Sequence, residues 1–410
     1  MPQEPVYISP EQAVQLLAQA LAASPETETV ALGEASGRIL ARDLYAPLDQ
    51  PPFPRSPLDG YAVRALDTTG ASRERPVALR VVGTLHAGSA PSLSIAPGEA
   101  ARIMTGAPIP AEADCVIRQE DTDYGADTVQ IHVAHRPFQN YCRRGEDIQK
   151  GSLLLQRGEA LSFSKIGVLA AMGQARISVF RRPRVGVLTT GDELTDVAAP
   201  LAPGKIYNSN QYALEARLRE LGAEAVVSPP CPDRADMLAK AVGDAADRVD
   251  FLITTGGVSV GERDCMPAVR ELLGGEPIFK GIRVKPGAPA MAFRHRGKVV
   301  LCLSGNPFAA VATFELLAHP LLPLLQGARV CSLSLPRAAA VLQTAFPKPS
   351  PGRRFIRAYY ENQRVFLPQE GGDPHSSGVL ASMTACNCMI DIPAGSGPLP
   401  AGRMVEVVLL

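Results

Sequence analysis

Three stretches between residues 183 and 326 share one plan: a short apolar run that stops at a small polar loop. Val249-Asp250-Phe251-Leu252-Ile253 leads into Thr254-Thr255-Gly256-Gly257-Val258-Ser259-Val260-Gly261-Glu262-Arg263-Asp264. Arg184-Val185-Gly186-Val187-Leu188 leads into Thr189-Thr190-Gly191-Asp192-Glu193-Leu194. Val299-Val300-Leu301-Cys302-Leu303 leads into Ser304-Gly305-Asn306-Pro307 and then an apolar helical pattern. Such runs, bounded by turn residues, read as buried parallel strands. In an open α/β sheet, loops at the carboxyl ends of the strands converge on one crevice. A glycine-rich loop there aims backbone N–H groups at an anion. Glu262 and Asp264 close the first loop, and carboxylates beside such donors suit a phosphorylated ligand held with a divalent cation.

The spacers between these runs are helical. Leu214, Leu218 and Leu221 mark one helix face closed by Gly222, residues 234–247 carry a second pattern, and another helix starts near Pro267. This alternation predicts a parallel sheet with helices on both faces. Near the start of the chain, Ser9-Pro10-Glu11-Gln12 has the makings of a capping box. The stripe Val14, Leu17, Ala18, Leu21 follows it and predicts a helix ending near Ser24-Pro25. From Pro47 the pattern turns to proline-rich linker and short strands, including Val77–Val82 and Thr128–Val133. The last 80 or so residues are strand-like again, as in Phe355–Tyr360 and Met404–Leu410. The expected organisation is a scaffold from 1–46 and 146–182, an inserted β-rich domain at 47–145, an α/β domain at 183–326 and a β-barrel at 327–410.

Charge excludes several functions. The 41 basic and 41 acidic residues balance, so no basic surface for nucleic acid is expected. No apolar run approaches a membrane span, and Met1–Val6 lacks the features of a signal peptide, so the expected compartment is the cytoplasm. Eight cysteines are scattered without a Cys-x-x-Cys pair, and no His-Glu-x-x-His occurs. Chemistry must rest on carboxylates, lysine, hydroxyls and backbone amides.

With these motifs in order, the chain resembles the molybdopterin molybdenumtransferases, the MoeA and gephyrin E-domain family. The markers are Ser56-Pro57-Leu58-Asp59-Gly60-Tyr61-Ala62, Arg102-Ile103-Met104-Thr105-Gly106-Ala107-Pro108 and Arg144-Gly145-Glu146-Asp147-Ile148. Further along they are Thr190-Gly191-Asp192-Glu193-Leu194, the loop through Gly256, Gly257, Val258 and Ser259 to Asp264, Lys285-Pro286-Gly287, and Gly305-Asn306-Pro307. The resemblance implies a multidomain α/β plus β fold: a three-layer molybdopterin-binding α/β domain, an inserted β-rich domain and a C-terminal β-barrel. It implies molybdenum insertion into adenylylated molybdopterin, with molybdate as second substrate and AMP released. Mg²⁺ is implied beside the phosphates, with Asp264, Asp233 and Glu193 as its ligands. A homodimer is implied, in which Asp59, Thr105 and Asp147 face the partner's α/β domain. A molybdopterin adenylyltransferase and delivery proteins for apo-molybdoenzymes are the implied partners; neither nucleic acid nor membrane is.

Each acid also has a plainer role open to it. Asp233 alternatively caps the next helix, Asp59 stabilises its own turn, with the same alternative for Thr105, and Asp147 pairs with Arg143 or Arg144. The chain departs from the family pattern at three places, where Gly281, Ala288 and Ala309 replace two lysines and a serine of the implied oxyanion pocket. Lys285, Ser304, Arg357 and Ser377 are the expected compensating donors. A second reading is a diverged paralogue that binds molybdopterin, or its adenylylated form, without efficient insertion.

Overall fold

The computed structural model describes residues 6–21, 25–90, 93–258, 265–330, 332–368 and 376–410. Its centre is a seven-stranded sheet in the order Val6–Ile8, Glu276–Ile282, Met291–His295, Lys298–Leu303, Phe251–Thr255, Arg184–Thr189, Glu224–Val227. All strands run parallel except Met291–His295, which is antiparallel to both neighbours. The predicted parallel sheet is therefore mixed by one strand, because the short turn at Arg296-Gly297 makes a hairpin where a crossover helix was the alternative.

Alternation along the strands explains the two covered faces. Phe251, Ile253, Val299, Leu301 and Leu303 point into one apolar layer, with Leu214, Leu218, Phe308 and Ala312 from helices. Leu252, Val300 and Cys302 point the other way, onto Leu238, Val242, Met266 and Val269. Successive strand residues face opposite sides, so strands buried on both faces are apolar throughout.

The first helix, Pro10–Ala20, has the predicted capping box between Ser9 and Gln12, and it stops at Leu21, short of Ser24. Its residues Ala13, Val14 and Leu17 are buried in the first apolar layer of the sheet. The preceding strand pairs Val6 with Lys280 and Ile8 with Ile282. Within the expected scaffold segment, Val6–Ile8 thus forms an edge of the central sheet and Pro10–Ala20 packs on it. The scaffold core is built from Val30, Leu40 and Leu44 against Leu155, Leu169, Ile177 and Val179. Thr27–Ala31 pairs there with Arg176–Phe180.

A five-stranded sheet drawn from residues 60–131 forms the inserted region, and the C-terminal strands close a five-stranded barrel. The expectation that nothing approaches a membrane span also needs correction. Pro307–Leu325 is long and apolar enough by composition, yet most of it is buried inside the protein. Core packing accounts for its apolarity.

Candidate active site

The three loops emerge side by side, as their strands are adjacent and parallel. Backbone bonds lace them together: Thr190 N–H donates to Thr255 O (2.9 Å), Gly256 N–H to Leu303 O (3.0 Å) and Gly191 N–H to Cys231 O (3.3 Å). Gly256 has φ +100°, and a Cβ there would lie 2.4 Å from Thr190 O. Only glycine fits this close, left-handed turn. A Cβ on Gly305 would come 3.5 Å from Gly256 Cα, so the first and third loops touch.

Together they line a cavity of about 690 Å³. From the predicted set it brings together Glu193, Asp233, Gly256, Gly257, Val258, Ser304, Gly305, Asn306 and Pro307. Asp233 arrives from the loop after Glu224–Val227, aligned by the Thr190–Cys231 bridge. Its carboxylate accepts the Thr190 hydroxyl at 2.5 Å. It does not cap the next helix, whose N-cap is Arg234 with no side-chain capping bond. Asp192 sits behind it, its Oδ1 accepting the Asp233 N–H at 3.4 Å. Ser259 and Asp264 lie outside the described residues.

Sequence reading passed over the start of the Ser209–Glu220 helix. Asn208 caps it and is 1% exposed; its amide donates to Thr189 Oγ1 at 2.8 Å. Asn210 donates to Gly305 O at 2.7 Å, tying the helix to the third loop. Both asparagines line the cavity. The run Asn208-Ser209-Asn210-Gln211 held the capping signal that could have found them. A helix start aimed at the cavity adds positive potential for an anion.

The remaining predicted residues stand elsewhere. Lys285 is exposed on the loop after Glu276–Ile282, its backbone bonded to Arg353 and Phe355 of the barrel. Arg357 is 1% exposed. Its guanidinium donates to Val379 O (3.0 Å) and Ser376 O (2.6 Å) and lies 4.3 Å over the Phe308 ring. Phe308 N–H donates to Ser377 O at 3.0 Å. Arg357 and Ser377 therefore fasten a barrel loop to the third crevice loop. Arg357, expected as a compensating oxyanion donor, thus has its guanidinium buried with these carbonyls among its partners.

Asp59, Thr105 and Asp147 do not line the cavity. Asp59 Oδ1 accepts both the N–H and the hydroxyl of Thr105 at 2.7 Å, so these two residues join distant loops instead of stabilising separate turns. The Thr105 hydroxyl first, and then its N–H, hold the Asp59 carboxyl below its ordinary range. Arg144 pairs with Asp49 and Arg143 lies over Phe138, so the alternative of Asp147 pairing with either arginine has no support.

Known proteins share this arrangement. Family models match residues 8–173 as the MoeA N-terminal region (domain I and II), 186–324 as a probable molybdopterin binding domain and 339–410 as the MoeA C-terminal region (domain IV). A molybdopterin molybdenumtransferase of Bacillus subtilis is 39% identical over 94% of this chain and 90% of its own length. The chain belongs to the MoeA family of molybdopterin molybdenumtransferases. Another member, from Staphylococcus aureus, is 35% identical over 93% of this chain and 90% of its own. The crystal structure of a MoeA molybdopterin biosynthesis protein from Pyrococcus horikoshii superposes with a TM-score of 0.85 at 34% identity, covering 98% of this chain and 99% of that one. The MoeA fold thus accounts for the mixed sheet, the inserted β region and the closed barrel.

Proposed function

We propose that this protein inserts molybdenum into adenylylated molybdopterin in molybdenum cofactor biosynthesis. The observation that carries the reading is the convergence of three loops and the Asn208–Asn210 helix start on one cavity holding Glu193 and Asp233. Backbone donors at Gly256 and Gly257 suit phosphate oxygens without adding fixed charge. Cleavage of the pyrophosphate link releases AMP as molybdenum passes to the dithiolene.

Mg²⁺ fits the oxygen chemistry of this lining. Among the described residues no group of three or more acids, histidines or cysteines is preassembled, and two carboxylates line the cavity. Glu193 and Asp233, with Asp264, would hold the ion, which screens the substrate phosphates and polarises a phosphoryl oxygen when bound. Thr190 orients Asp233, while Asn210 holds Gly305 in place.

The second part of the reading is a homodimer. Asp59 and Thr105 form an exposed, hydrogen-bonded pair with no role in the cavity of their own chain, which suits a contribution to a partner's cavity. Molybdopterin adenylyltransferase supplies the substrate, and delivery proteins for apo-molybdoenzymes take the product. Thiols outside any disulfide at Cys115, Cys142, Cys231, Cys302, Cys386 and Cys388 suit the cytoplasm.

Purified protein given adenylylated molybdopterin, molybdate and Mg²⁺ should release AMP in proportion to molybdate and yield a product that reconstitutes an apo-molybdoenzyme. AMP release indifferent to molybdate across its whole range would reduce the reading to binding alone. Mixing an inactive Asp59→Ala chain with an inactive Asp233→Asn chain should restore part of the activity, and no restoration would sink the shared-site dimer.

A further inference from the structure

A second cavity, about 660 Å³ in volume, lies at the other end of the central sheet. Asp250 and Lys298 on its wall stand at the beginnings of strands whose far ends form the crevice. The scaffold supplies the opposite wall through Glu26, Arg157, Phe180 and Arg181. Leu324 and Leu325, from the end of the long buried helix, form an apolar patch within it, and Arg329 closes the rim.

The charges there do not balance. Among the described lining residues Arg157, Arg181, Lys298 and Arg329 stand against two acids, Glu26 and Asp250, and Glu159 beside Arg329 is already paired with Lys165, in a chain whose total charge is zero. Arg181 uses both acids, at 3.1 Å each. Lys298 reaches Asp250 only at 4.0 Å. Arg157 lies over the Phe180 ring at 5.2 Å, and the side-chain partner of Arg329 is the neutral Gln156. These last two cations are neighbours: Arg329 N–H donates to Gly158 O at 2.9 Å. Like charges gathered in a concavity raise the local affinity for an anion, and guanidinium groups match phosphate oxygens in pairs.

We propose that this cavity binds an organic phosphate, with the phosphate between Arg157, Arg329 and Lys298 and the apolar body against Leu324 and Leu325. The ligand touches scaffold and α/β domain together, so it clamps the one against the other. The site is separate from the crevice and stands whether or not the proposed insertion reaction does.

Calorimetry on the full chain with phenyl phosphate tests it. One equivalent should bind, more tightly than inorganic phosphate and more weakly as salt rises. Arg157→Gln and Arg329→Gln, both at exposed positions, should each weaken binding by about tenfold while thermal unfolding stays unchanged. Lys298→Gln gives a third, independent reading should either variant fold poorly. Asn210→Ala, in the crevice, should leave the affinity as it was. Equal affinity in all three cavity variants, loss only with Asn210→Ala, or inorganic phosphate binding as tightly as phenyl phosphate would each overturn the proposal.

Discussion

Tyr7 stands against Gly281: a Cβ built on that glycine would come within 3.0 Å of two carbons of the tyrosine ring. Gly281 also has φ +81°, a conformation that L side chains seldom adopt. A side chain at 281 would therefore strain the backbone and press on the Tyr7 ring. The Tyr7 ring borders the first atom of such a side chain, and the backbone has turned left-handed. Gly281→Lys should lower stability by roughly 1–3 kcal/mol in urea unfolding. Adding Tyr7→Ala to it should return the packing part of that loss. A Gly281→Lys protein as stable as the parent would show that the strand yields freely.

Asp233 and Thr190 make a second testable pair. Thr190→Val keeps the volume and removes the donor to Asp233, so if Asp233 holds Mg²⁺ as proposed, activity should fall by about 10–100-fold, the scale for losing a group that orients a metal ligand. Asp233→Asn keeps an acceptor for Thr190 and removes the charge. It should raise the Mg²⁺ concentration needed for half-maximal AMP release; an unchanged Mg²⁺ dependence would remove Asp233 from the ligand set.

Arg357 links the barrel to the crevice through the loop it holds. Arg357→Leu leaves the carbonyls of Ser376 and Val379 without this donor, costing roughly 1.5–3 kcal/mol. Hydrogen exchange should accelerate at residues 376–380 and at Phe308, whose N–H is bonded to Ser377. Acceleration confined to the barrel would disconnect the loop from the third crevice turn.

Asp391 predicts an acid limb of stability. Burial pushes its carboxyl up, but hydrogen bonds and charge from Arg353 and Arg337 outweigh this and hold it below its ordinary value of 3.8. A depressed folded value means the stabilisation is complete above the unfolded value and disappears as pH falls through the folded one. Urea midpoints should therefore drop as pH falls below about 4, and Asp391→Asn should flatten that drop while lowering the plateau at neutral pH. A midpoint that falls as steeply in the variant would assign the acid limb to other carboxylates.

The central architecture was readable because its signals are local. Apolar runs such as Phe251–Thr255 end at glycine turns, helices separate them, and a parallel sheet then delivers the loops to one edge without further information. The capping box at Ser9 was equally local. What escaped depended on distant partners. Val6–Ile8 has three residues and no period to read, and it becomes a strand only because Glu276–Ile282 offers an open edge. Arg357 looked like a surface cation for an anion; only the folded loop at 376–380 shows it turned inward. Asn210 was passed over because its partner is a backbone carbonyl 95 residues away.

The pairing of Val6 with Lys280 also dictates an order of events during synthesis. The first strand emerges from the ribosome well before its neighbour is translated, and the apolar side of Pro10–Ala20 must wait with it. Until then the nascent chain carries Val14 and Leu17 without a cover, a ready target for a chaperone. Excising the α/β region as a fragment from 183 to 326 would recreate that nascent condition permanently, leaving one margin of the sheet bare.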